Sequence, residues 1–284
     1  MPVDEDKYPA ESGRRRFVKG VVGSAALSSV GAGGAAALDT VTQEAGSGGG
    51  QTQYVGIENT AGPAPRGMPI IPLEIQDGEL YGVWPEYNSE QDLAVAEDFG
   101  GSGITYTSAW FQYCGLQSAQ GVDPQADANN ALISSPSYSW QEEQESGVPL
   151  QVSWFDDYES WGNGIGTEGV GKPATANWRS EEASTKITVQ VLRSPKVSQM
   201  ANGEGEFSEL PNQLQQFIDA ATAENFMAWA NKCTHFCCVP GWKQSEGAED
   251  YDAGNDVYCQ CHQSVYDPFS PVLKTFTALP RPPQ

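Results

Sequence analysis

The sequence predicts an all-β fold of short antiparallel strands, and three observations carry that expectation. Apolar residues alternate with others at Leu150, Val152 and Trp154, and again at Ile187, Val189 and Val191. Asp77-Gly78 is a hairpin signal, flanked by Leu73 and Ile75 on one side and Leu80 to Trp84 on the other. Thirty-one Gly and nineteen Pro in 284 residues favour strands and loops over long helices. Eight Trp, eleven Tyr and ten Phe are enough to fill a core for such sheets.

The elements are read in chain order. Gly13-Arg14-Arg15-Arg16-Phe17-Val18-Lys19 is followed by an uncharged run from Gly20 to Leu38. The motif resembles a twin-arginine export signal, with Gly13 where Ser or Thr is usual, and its Ala/Gly/Ser core suits that route. The run spans about 28 Å as a helix, close to the hydrocarbon thickness. Residues 1–38 are therefore expected to be a signal retained as an N-terminal membrane helix, with cleavage near Ala35-Ala36-Ala37 as the alternative. Residues 39–53, including Gly46-Ser47-Gly48-Gly49-Gly50, read as a flexible linker.

Residues 54–284 form the predicted β domain. Within them, about 88–171 is polar and Gln/Ser-rich, punctuated by Trp110, Trp140 and Trp161, and reads as an insertion. Asp156-Asp157 with Glu159 suggests a cation site, but a solvated acidic face is the stronger reading in so acidic a chain. One helix is expected where Leu210, Leu214, Phe217, Ile218 and Ala221 fall at helical spacing. Phe226 to Trp229 is a further strand.

Five of the fifteen Lys and Arg fall in the first nineteen residues; the rest of the chain carries ten basic residues against thirty-three acidic. Such a surface excludes a nucleic-acid partner. Its self-repulsion is screened at molar salt, where the Debye length is roughly 3 Å, so a halophilic origin is expected.

Both histidines and five of the six cysteines lie near the C-terminus, in Cys233-Thr234-His235-Phe236-Cys237-Cys238 and Cys259-Gln260-Cys261-His262-Gln263-Ser264. Thiolate and imidazole are ligands for iron or zinc. Over about 226–268 the two boxes resemble those of the Rieske [2Fe–2S] family, in particular the iron–sulfur subunit of quinol–cytochrome c reductase complexes. The resemblance implies a Rieske-type antiparallel β-sheet domain with a cluster-binding subdomain. It implies a [2Fe–2S] cluster held by Cys233 and Cys259 on one iron and His235 and His262 on the other. It further implies a Cys238–Cys261 disulfide, and hydroxyl donors to the cluster sulfurs in Ser264 and Tyr266. Departures from the family boxes are Cys237 for Gly, Gln260 for Pro, Gln263 for Gly, and an acidic insert from Glu246 to Asp256.

The function so implied is high-potential electron transfer on the outer face of the membrane. His262 would accept a hydrogen bond from quinol, a cytochrome b-type membrane subunit would be the partner, and a cytochrome or copper protein the acceptor. The chain itself shows no nucleophile or general base, so oxidoreductase turnover belongs to the complex. Two alternatives are the Rieske small subunit of an exported molybdenum oxidoreductase of arsenite oxidase type, and a zinc-stabilised extracellular binding module that uses the Trp-rich middle as its contact surface. Cys114 reads as a buried free thiol, with a Cys114–Cys237 bridge as the less favoured reading.

Overall fold

The computed structural model describes residues 50–90, 93–116, 129–181 and 186–278. The signal and anchor expected over residues 1–38, and most of the linker expected over 39–53, lie outside the described residues. The last three linker residues, Gln51, Thr52 and Gln53, are already strand. Among the described residues, no helix is long and apolar enough to cross a membrane.

The first half of the chain supplies β1 (Gln51–Ala61), β2 (Met68–Pro69), β3 (Leu73–Gln76) and β4 (Glu79–Gly82). It continues with β5 (Tyr87–Asn88), β6 (Leu93–Ala96), β7 (Tyr106–Thr107), β8 (Ile133–Ser134) and a single helical turn, α1 (Ser139–Glu142). The hairpin expected at Asp77-Gly78 forms, with Ile75 opposite Leu80 and both turn residues at positive φ. The second half adds β9 (Lys172–Trp178), β10 (Ile187–Arg193), α2 (Pro195–Asn202), α3 (Asn212–Ala221) and β11 (Phe226–Ala230). It ends with β12 (Gly241–Trp242), β13 (Val257–Cys259) and β14 (Ser264–Thr277).

Two sheets dominate. One has the order β12-β13-β14-β1-β2, the other β11-β10-β9-β8. In the first, β1 and β14 run antiparallel from Gln51 opposite Thr277 to Ala61 opposite Val265. The register shifts between Ile57 and Glu58, whose partners are Pro271 and Asp267. Pro268 and Pro271 lie there, and a proline has no N–H to give to the ladder, so the pairing must break around them.

The expectation of an all-β fold is corrected: the structure is mixed α/β with an open half-barrel sheet. The helix expected around Leu214 and Phe217 is α3. A second helix, α2, starts where Ser194 caps it by accepting the Lys196 N–H at 3.2 Å, with Pro195 in its first turn. It stops at Gly203, whose φ of 65° is left-handed.

Trp110 and Trp161, in the segment expected to be an insertion, are buried, and Trp140 packs its ring on Phe155. Trp110 stands edge-on to Tyr106 and packs on Phe217 of α3 at 5.6 Å between centroids. A Trp-rich contact surface is therefore not what these residues make. Asp157 pairs with Lys172 at 2.7 Å and Asp156 with Arg193 at 3.4 Å, so both carboxylates serve surface ion pairs.

Candidate metal centre

Two loops meet at one end of the five-stranded sheet. The first leaves β11 after Ala230 and reaches β12, and the Asn231 amide closes its base by donating to the Pro240 carbonyl at 2.8 Å. The second is the tight turn between β13 and β14, where Cys259 faces Ser264 and the Gln263 N–H donates to the Cys259 carbonyl at 2.8 Å. Gln263 has a φ of 60° and Cys237 a φ of 62°. Both stand where the resembled family has Gly, and both occupy the left-handed conformation that favours Gly. Gly62 lies so close beneath the second turn that a Cβ there would sit 2.5 Å from the Gln263 carbonyl oxygen.

The loops are stapled by a Cys238–Cys261 disulfide, whose Cα atoms are 6.7 Å apart. A second disulfide joins Cys114 to Cys237, so Cys114 is not the free thiol expected of it. Two adjacent cysteines thus hold the first loop to two different parts of the chain.

Cys233 and Cys259 are buried and free. Their sulfurs are hydrogen-bonded to each other, which holds the Cys233 thiol down to about 5 and pushes Cys259 up. The negative charge belongs on Cys233, because the Tyr266 hydroxyl also donates to it at 3.1 Å, with the His235 and Phe236 backbone N–H groups adding support. Burial and the neighbouring Cys233 thiolate push the Tyr266 hydroxyl up, keeping it protonated as a donor. Ser264 is buried, and its Oγ accepts the Ala64 N–H at 3.2 Å. The Thr234 hydroxyl donates to the Arg66 carbonyl at 2.5 Å, and the Arg66 guanidinium lies 3.7 Å over the Phe276 ring.

The His235 and His262 rings stand edge to face, 4.7 Å between centroids. His262 is exposed; His235 is half-buried, and its Nδ1 is buried with no hydrogen-bond partner among the described atoms. The exposed Phe236 ring packs beside both, 4.3 Å from His235 and 5.1 Å from His262 between centroids, and Val239 on the same loop is also exposed.

The structure corrects the Rieske reading of these residues. The ligand atoms gathered within 4.8 Å of one another are three sulfurs, those of Cys238, Cys259 and Cys261. Among the described residues, no set of two cysteines and two histidines is drawn together in that way. Membership of the Rieske family, the [2Fe–2S] cofactor, electron transfer from quinol and the oxidoreductase-subunit role are all set aside on that finding. The quinol-binding role implied for His262 loses its basis with them. Within the group of three, Cys238 and Cys261 are bonded to each other, which leaves Cys259 as its free thiol.

No known family, no curated protein and no solved structure matches this chain.

The acidic insert has a structural task that its composition did not reveal. Glu246–Tyr251 forms a 3₁₀ helix, and Glu249 accepts the Gly166 N–H at 2.9 Å while Asn255 accepts that of Thr167 at 2.8 Å. It thereby ties the approach to β13 onto the 160s segment.

Proposed function

We propose that this chain is an exported metal-binding module. Its candidate donors are the Cys233 and Cys259 sulfurs and the His235 and His262 imidazoles, which do not gather around one point in this structure but lie on the two loops that the Cys238–Cys261 bond staples. The observation that carries this reading is the buried His235 Nδ1 without a hydrogen-bond partner, on the same loop as Cys233, whose buried thiol is hydrogen-bonded to that of Cys259 yet stays unbridged. An orphaned buried nitrogen costs free energy that a metal bond recovers. The other four cysteines are all oxidised, so the free pair stands out as reserved for another bond.

The donor set of thiolate and imidazole fits a borderline transition metal such as zinc or iron. A bound zinc ion supplies structural rigidity; a redox-active metal supplies one-electron chemistry. The protein's own contribution is the same in both cases. Cys233 is supplied as a thiolate, Tyr266 steadies its charge, the Cys238–Cys261 bond fixes the loop spacing, and the exposed Phe236 and Val239 offer a surface for a partner. Export by the twin-arginine route accords with two disulfides, which persist in oxidising compartments.

The test is metal content by mass spectrometry on the folded protein and on Cys233→Ser and His235→Ala variants. Stoichiometric metal in the parent, lost from both variants while circular dichroism still reports the fold, supports the centre. A folded, metal-free parent overturns it. A second reading follows from the three-sulfur group: if metal binds only after the Cys238–Cys261 bond is reduced, the ligands are Cys238, Cys259 and Cys261.

A further inference from the structure

A cavity of about 470 Å³ opens where α2, the start of α3 and β14 come together. Its wall carries the carboxyls of Asp256 and Asp267 with those of Glu206 and Glu209, and one cation, Lys196. The ammonium of Lys196 is 2.7 Å from a Glu206 oxygen and 5.1 Å from the centre of the Phe269 ring. Asp256 and Asp267 have no ion pair among the described residues; burial raises both, with repulsion from Asp267 on Asp256 and from Glu206 and Glu58 on Asp267, while the charge of Lys196 partly offsets this at each. One oxygen of Asp267 accepts the Phe269 N–H at 2.8 Å. The remaining lining is mixed: Phe207, Leu210 and Phe269 are apolar, while Asn255 and Ser270 are polar.

We propose that this cavity binds a small organic cation, an ammonium group carried on an apolar body. The volume lies in the range of small-molecule sites and far exceeds that of a bare ion. Here carboxylates and the rings of Phe207 and Phe269 line one cavity, the pairing that recognises alkylammonium groups. Lys196 shows the mode within the chain itself, an ammonium held between a carboxylate and Phe269. A ligand ammonium would neutralise Asp256 and Asp267 in the same manner. The cavity shares no donor with the metal centre, so either proposal can fail alone.

Isothermal titration of the full chain at constant ionic strength is the test, with n-butylammonium chloride as probe and n-butanol as its neutral isostere. Saturable binding of butylammonium is expected, with none for butanol. Asp256→Asn and Asp267→Asn should each weaken it about tenfold or more, with circular dichroism and metal content unchanged. Binding should also weaken as pH falls from 8 to 5, because Asp256, raised to about 7 chiefly by burial, is then protonated. Besides Asp256, the groups facing the cation are Asp267, Glu206, Glu209 and Lys196, with Glu58 near Asp267. Equal binding of butanol, unchanged affinity in both Asn variants, or full displacement by equimolar sodium would overturn the proposal.

Discussion

The Tyr266 hydroxyl donates a hydrogen bond to the Cys233 sulfur across 3.1 Å, from the start of β14 to the first cysteine loop. It also accepts the Thr234 N–H at 3.3 Å, so one hydroxyl fixes both the charge and the backbone of that loop. Tyr266→Phe keeps the ring and removes this group. A hydrogen bond to a charged sulfur contributes about 1.5–3 kcal/mol, so metal affinity should fall by about tenfold or more. The sign of the pH effect follows from the thiol. Cys233 is held below its ordinary value, so its contribution is present at high pH and lost as pH falls through about 5. Without the hydroxyl, protons compete better, and the pH at which metal is released should rise by about one unit. A pH titration of metal retention checks this; an unchanged release curve would remove Tyr266 from the account.

Cys114 and Cys237 close a loop across 123 residues of sequence. Replacing both with Ala should cost about 2–5 kcal/mol, read as a lower midpoint in denaturant. The Cys238–Cys261 bond remains in that variant, so metal content should be retained. Loss of metal together with stability would show that the longer bridge positions the centre.

Phe217 joins the second half of the chain to the first. Its ring packs against Phe99 at 5.5 Å and Trp110 at 5.6 Å, and it is fully buried. Phe217→Ala should destabilise the fold by about 3–5 kcal/mol. A change below 1 kcal/mol in a denaturant titration would mean that α3 is not part of the cooperative unit.

Asp256 gives stability a pH dependence opposite to that of Cys233. Its carboxyl is raised to about 7 in the fold, chiefly by burial, against 3.8 ordinarily. Between those values the folded chain holds a proton that the unfolded chain has released, so this group lowers stability as pH rises. Asp256→Asn should therefore raise the melting temperature at pH 8 and leave it unchanged at pH 4. Equal shifts at both values would assign the effect to packing instead.

Much of the architecture was legible locally. Val189 and Val191 lie in a strand, Asp77-Gly78 makes its hairpin, and the spacing around Leu214 and Phe217 marks a helix. The second helix was equally signposted by Ser194-Pro195 and Gly203, but its short amphipathic run was overshadowed by the surrounding strand pattern. The long strand β14 runs through Pro268 and Pro271, which cannot donate to the ladder, and its continuity across the register shift is not encoded in local spacing. At the site, the clustering of Cys233, His235, Cys259 and His262 pointed to metal chemistry, and the resemblance of the two boxes to the Rieske family implied the Cys238–Cys261 staple, which the structure contains. Which donor atoms draw together depends on the paths of two loops, and spacing along the chain does not encode it. The bridge from Cys114 was hidden for the same reason: 123 residues separate its partners.

The central claim is tested most directly by counting zinc and iron on purified protein with both disulfides intact, and recording the electron paramagnetic resonance spectrum of the reduced sample. The account predicts stoichiometric transition metal, bound without reduction of the Cys238–Cys261 bond and lost when Cys233 or His235 is replaced. Protein that folds with no metal would contradict the proposed function.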